Sequence, residues 1–179
     1  MTYKELYIFV EGEDDERFVE RILKPILEKK YDYVVIVKYA KEEYEWRNNF
    51  IKSIKSIGAD YIYVTDINNS PCITGKKNII KQKCRDIDID KIIIVIKEIE
   101  GWYIAGIGQK IAKKLKIKLT HNVDANEITK EQFNSLIPRQ FKDSRTNFMI
   151  EILKHYDIKL ARKRNKSFDY FIRKFIEGK

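Results

Sequence analysis

Cysteine, proline and glycine are all scarce in this 179-residue chain, with two Cys, three Pro and seven Gly. Two cysteines cannot build a disulfide framework, and so little Pro and Gly excludes collagen-like and linker-rich classes. The whole Cys and His complement is Cys72, Cys84, His121 and His155, which share no zinc-site spacing. No apolar run reaches the roughly 20 residues of a membrane span. MTYKELYIFVEGEDDE interrupts its short apolar run with acid, unlike a secretion signal. These absences predict a soluble, cytoplasmic protein with no membrane partner and with reduced thiols.

What is present is core material and charge, 44% hydrophobic and 35% charged residues. Lys plus Arg number 36 against 27 Asp plus Glu, a formal charge of +9. The excess is local. Up to Ile104 there are 18 basic and 19 acidic residues, and from Ala105 to Lys179 there are 18 and 8. The second stretch suits a polyanionic partner, DNA or RNA. The chain therefore divides into a core over 1–104 and a basic helical extension over 105–179, packed on the core as added helices.

Four short β-rich runs punctuate the first part: Leu6 to Val10, Tyr33 to Val37, Tyr61 to Thr65 and Lys91 to Ile96. None alternates, so both faces of each are expected to be buried. Between them lie helical stripes. Phe18, Val19, Ile22, Leu23, Ile26 and Leu27 form the first, with Pro25 as a candidate kink. Trp46, Phe50, Ile51, Ile54 and Ile57 form the second, ended by Gly58. A third helix is expected over 73–85. Strand alternating with helix predicts an α/β fold, an open, mainly parallel four-stranded sheet flanked by helices. In the extension, Ile104, Ile107, Ile111, Ala112 and Leu115 predict one helix. Thr129 with Gln132 predicts a capped helix before Pro138. Phe148, Ile152 and Leu153 suggest another, and Phe168, Phe171, Ile172, Phe175 and Ile176 the last.

Ligands of open parallel sheets gather beyond the C-terminal ends of the strands. The first strand delivers Glu11 there, the third delivers Asp66 and Asn68, and the fourth delivers Glu98 and Glu100. Positions 66 and 68 would share one side of an extended segment. Carboxylates gathered at one edge repel unless a hard cation such as Mg²⁺ joins them. Acidic residues also follow strands simply because loops are polar.

The segments YIFVEGEDDERFVERIL, YIYVTDINNSP and IIIVIKEIEGWYIAG resemble, in order, the motifs of the Toprim domain. That fold serves topoisomerases, bacterial primases and nucleases of the overcoming-lysogenization-defect and phage-defence type. The resemblance covers residues 7–103. It implies metal-dependent phosphodiester hydrolysis with Mg²⁺ or Mn²⁺. It makes Glu11, Asp66 and Glu100 catalytic and Glu11, Asp66, Asn68, Glu98 and Glu100 metal ligands, with Glu100 ahead of Glu98 for the last acidic position. The family pattern has Asp where this chain has Asn68, so a degenerate Toprim module that binds nucleic acid without cutting it is the alternative. Topoisomerase chemistry needs a further large domain, and primases need a zinc module that the Cys and His content cannot supply. An ATPase partner is allowed by the phage-defence resemblance. Lys110, Lys113, Lys114, Lys118, Arg162, Lys163, Arg164 and Lys166 are the candidate phosphate contacts. Trp102 and Tyr103 are expected in the core, and His121 and His155 at the surface.

Overall fold

The structure is a computed structural model that describes residues 3–119 and 123–178. Two compact units divide between Val95 and Ile96. By sequence, the first holds 17 basic and 17 acidic residues and the second 19 and 10, so the basic excess belongs to the second.

Unit 1 is the sheet. Strands β1 (Glu5–Val10), β2 (Tyr33–Lys38), β3 (Asp60–Asp66) and β4 (Ile92–Val95) are all parallel, in the order β2-β1-β3-β4. Six residue pairs join β1 to β2, from Glu5 with Tyr33 to Val10 with Lys38, and Leu6 pairs with Asp60 across β1 and β3. β1, β3 and β4 are buried along most of their length, as strands covered on both faces are. On one face Phe9, Tyr61, Tyr63, Ile92 and Ile94 pack with Ile51 and Ile54, which come from helix 44–56, and with Ile80 and Cys84. The alternate residues Leu6, Ile8, Val10, Ile62, Val64, Ile93 and Val95 are buried as well.

The helices of unit 1 are α1 (Glu13–Phe18), α2 (Lys24–Leu27), α3 (Tyr44–Ser56) and α4 (Ile73–Lys83). Between α1 and α2 lies a π-helical turn, Val19–Leu23, where the Lys24 N–H reaches back to the Val19 carbonyl. Pro25 explains that turn. It has no N–H to donate and its ring crowds the preceding carbonyls, so the hydrogen bonding there shifts to the wider π spacing. Arg47 of α3 is buried over the rings of Tyr39 and Tyr44, 4.5 and 4.4 Å from their centroids, and donates to the Tyr63 hydroxyl.

At the opposite end of β3, Asp60 accepts hydrogen bonds of 2.7 Å from Lys91 Nζ and from the Tyr31 hydroxyl. Burial pushes its carboxyl up, but these partners outweigh burial and hold it below the ordinary carboxylate range. A depressed folded value stabilises the protein above the unfolded value, about 3.9, and the contribution is lost as pH falls through the folded value. In denaturant unfolding, Asp60→Asn should therefore be less stable than the parent at neutral pH, with the gap closing below about pH 4. A gap independent of pH would remove charge as the cause.

Unit 2 is helical. Its helices are α5 (Glu100–Ala105), α6 (Gln109–Lys114), α7 (Lys130–Ser135), α8 (Arg145–Leu153), α9 (Ile158–Arg164) and α10 (Lys166–Phe171), the last continued by a π-helical segment, Ile172–Glu177. Trp102 and Tyr103 are fully buried, as their apolar context predicts. The Trp102 ring meets Phe168 and Phe171 edge-on, and its indole N–H donates to Ser167 Oγ at 2.9 Å. Ser167 in turn donates to Asn165, whose amide donates to the Ala125 carbonyl, so this buried polar chain is satisfied. Thr129 caps α7 with Gln132 reaching back, as the motif predicts.

One helix was expected from Ile104 to Leu115, and two are found. The backbone at Gly106 lies against the Tyr156 ring, where an added Cβ would sit 2.4 Å from Cε2. The Gly106 carbonyl accepts from the Asp157 N–H and the Ile107 carbonyl from Arg164, so partners outside the helix replace the helical bonds. Gly106→Ala should lower unfolding free energy by about 1–3 kcal/mol through overpacking. Gly108→Ala, whose Cβ would make an ordinary 3.7 Å contact with Leu160, is the matched control in the same denaturant titration.

Candidate functional site

Glu11 leaves β1 at the C-terminal edge of the sheet, and Asp66 is the last residue of the neighbouring β3. The main chain stays tied at both places. The Ala40 N–H donates to the Glu11 carbonyl at 3.1 Å, and the Ile67 N–H to the Val95 carbonyl at 2.9 Å. Two carboxylates are thus delivered to one edge by neighbouring parallel strands paired from Leu6 with Asp60 to Phe9 with Tyr63.

The acidic run after Gly12 separates into two sets. Asp14 is paired with Arg17 at 2.6 Å, and Lys38 binds both Glu13 at 2.7 Å and Glu16 at 2.9 Å. Asp15 turns inward instead and is only 7% exposed, with its Oδ2 accepting the Gly12 N–H. Three carboxylate oxygens of this unit, Glu11 Oε2, Asp15 Oδ1 and Asp66 Oδ1, are buried and accept no hydrogen bond. Tyr39 lies close by. Burial pushes its phenol well above the usual range, the neighbouring Tyr63 and the Glu11 charge add to the rise, and its hydroxyl donates to the Val64 carbonyl.

A buried anionic oxygen without a donor is unfavourable by itself, because desolvation penalises its charge. A bound cation or a proton relieves it. Among the described residues, however, no three His, Cys, Asp or Glu side chains converge as a metal cage.

Asn68 does not continue the extended line from Asp66. It is exposed on a turn with φ of +49°, a left-handed conformation that asparagine tolerates well. The extended segment that was expected to carry both positions thus ends at Asp66.

Glu98 and Glu100 were expected at the end of the fourth strand. That strand stops at Val95, and both glutamates belong to unit 2. Lys97, with φ of +60°, turns the chain out of the extended path, and α5 begins at Glu100. Glu98 accepts the Lys130 N–H at the start of α7. Glu100 is 4% exposed and holds Arg145 Nη2 at 2.6 Å. Arg145 also donates to Asn134 and lies over the Phe133 ring. The pair fastens α5 to α8.

The basic candidates divide in the same way. Lys110, Lys113, Lys114 and Lys118 are exposed on and just after α6. Lys163 and Lys166 are also exposed. Arg162 is engaged by Asp169 at 2.8 Å and by Glu177, and Arg164 donates to the Ile107 carbonyl at 2.8 Å. The charge of the 162–166 run is thus partly spent inside the unit. Asp15 was missed among the site candidates. Its signal is its place as the third residue of α1, from which an acidic side chain reaches back to the N–H of the residue before the helix. His155 is partly exposed, 3.6 Å from Glu151, and His121 lies outside the described residues.

No protein-family model and no curated protein matches the chain. Among solved structures, the C-terminal region of the Burkholderia pseudomallei OLD protein is a distant match, with 13% identity and a TM-score of 0.36, covering 99% of this chain and 96% of that one. Among the described residues, no helix is long and apolar enough to cross a membrane.

Proposed function

We propose that the chain is a small Toprim-type nuclease that hydrolyses nucleic-acid phosphodiesters with Mg²⁺ or Mn²⁺. The observation that carries the reading is Glu11 Oε2, a buried carboxylate oxygen that accepts no hydrogen bond at the ligand-binding edge of a parallel sheet. Asp66 is delivered to the same edge by the adjacent strand, and the two would hold the cation. When bound, the cation would supply Lewis-acid polarisation of a phosphoryl oxygen and a more acidic water. Hydrolysis breaks one P–O ester bond, with hydroxide added to phosphorus and a proton to the departing oxygen. In this reading Glu11 takes the proton from water. The second unit, with 19 basic and 10 acidic residues, would hold the backbone without reading its sequence.

A second reading, a Toprim-like module that binds nucleic acid without cutting, is favoured by the exposed amide at Asn68 and by the lack of a three-ligand cage among the described residues. Incubation with single- and double-stranded DNA and structured RNA, in Mg²⁺, Mn²⁺ or EDTA, separates the two. Cleavage only with the cation supports the nuclease. Tight binding with no cleavage of any substrate supports the module, and cleavage that survives EDTA overturns the metal scheme.

A further inference from the structure

Unit 2 contains a cavity of about 640 Å³ lined by Lys116, Lys118, Ser135, Leu136, Ile137, Pro138, Arg139, Gln140 and Lys142. None of these nine residues is acidic. Leu136 and Ile137 are half-buried and Pro138 is buried, while the four cations are exposed. The cavity therefore joins an apolar floor to a rim of four positive charges. Among the described residues, Lys116, Lys118, Arg139 and Lys142 form no ion pair, unlike Arg162 of the same unit.

Like charges brought together without counter-charge repel, so such a rim needs a separate explanation. Its backbone is built to hold it. Lys116 follows the last turn of α6 with φ of +60°, in the position after a helix that glycine normally fills. The Lys116 N–H donates to the Lys113 carbonyl and the Ile117 N–H to the Ala112 carbonyl, the paired bonds of a tight helix ending. That reversal sends Lys118 back to line the same cavity as Lys116. Across the cavity Gln140 reaches the Leu115 carbonyl at 3.4 Å, which fastens the segment carrying Arg139 and Lys142 to the end of α6.

We propose that this cavity binds a nucleotide, its phosphates on Lys116, Lys118, Arg139 and Lys142 and its base or sugar against Leu136, Ile137 and Pro138. The volume falls in the range of about 300–1,000 Å³ usual for small-molecule sites. Amphipathic lining of this kind matches a ligand with a flat, weakly polar body and a strongly anionic end. A free nucleotide and a nucleotide unit within a strand share that chemistry. The proposal needs neither metal nor hydrolysis, so it stands apart from the nuclease reading.

The test is fluorescence anisotropy of a labelled single-stranded oligonucleotide, in EDTA so that cleavage plays no part, with ATP, inorganic pyrophosphate and unlabelled oligonucleotide as competitors. The double variant Lys118→Gln with Arg139→Gln should weaken oligonucleotide binding by about tenfold or more. It should also make the logarithmic salt dependence shallower by about 1.4, or about 0.7 per lost phosphate contact. Lys52→Gln with Lys159→Gln, the same charge loss at exposed positions outside the cavity, should change neither. Displacement by ATP and pyrophosphate assigns the cavity to a free nucleotide, and displacement by oligonucleotide alone assigns it to a strand. Equal weakening by the two double variants, or no binding of the oligonucleotide at low salt, overturns the proposal. All four substituted side chains are exposed, so circular dichroism should show an unchanged fold.

Discussion

Glu11→Gln should abolish cation-dependent cleavage, with a loss of about 10²–10⁴-fold, while the variant melts no lower than the parent. The two halves of this result have one cause. Glu11 Oε2 is buried and accepts no hydrogen bond, so the fold gives up no hydrogen bond at that atom when the carboxylate is replaced. An amide of the same shape fills the same space without the charge. The same substitution removes the group that would bind the cation and take a proton from water. A thermal readout separates binding from chemistry. Mg²⁺ should raise the parental melting temperature, by the equivalent of about 2.7 kcal/mol at a hundredfold excess over Kd, and should leave Glu11→Gln unmoved. Undiminished cleavage by Glu11→Gln would exclude Glu11 from the reaction. A cation-induced rise of the same size in both proteins would move the ion elsewhere.

The largest loss of stability is expected at Arg145. Its guanidinium lies 2.6 Å from Glu100 Oε1, and the Glu100 side chain is 5% exposed. Arg145→Ala leaves that buried carboxylate without its guanidinium, which should cost about 3–5 kcal/mol. Adding Glu100→Gln to Arg145→Ala should recover a large part, because a neutral amide tolerates burial better than an uncompensated charge. Denaturant midpoints of the two single variants and the double variant measure the coupling. A parental midpoint for Arg145→Ala would mean that the Glu100 charge is balanced by other partners. The same set of variants bears on the reaction. With Glu100 acting through packing, the activity that Glu100→Gln loses should return when the protein is stabilised by cooling, whereas a catalytic loss would persist.

The sheet was legible because its strands are unbroken apolar runs of branched residues separated by helical stripes, and only a doubly covered parallel sheet demands that pattern. The ends of the strands were less legible. Nothing in IIIVIKEIEG signals that the strand stops at Val95 or that Lys97 takes a left-handed conformation usually given to glycine, yet Glu98 and Glu100 consequently lie beyond the strand, in the helical unit. The acidic run at 13–16 reads as a single cluster. Which of its members faces inward depends on helix phase and on Lys38, which belongs to the next strand. Arg162 and Arg164 look like surface charge because their partners, Asp169, Glu177 and the Ile107 carbonyl, are brought to them only by folding. Motif and periodicity thus located the edge and Glu11 but not the local partners of the other charges.

The strand order has a consequence for synthesis of the chain. β1 is an inner strand, yet one of its two neighbours, β3, ends only at Asp66. At about 5–20 residues per second, Leu6, Ile8 and Phe9 wait several seconds on the ribosome before both flanks can be paired. β2 offers one flank earlier, but a two-stranded parallel pair is marginal alone. The nascent sheet therefore exposes a β-prone apolar edge until Asp66 has emerged, and chaperone binding should be concentrated on ribosome-bound chains shorter than that.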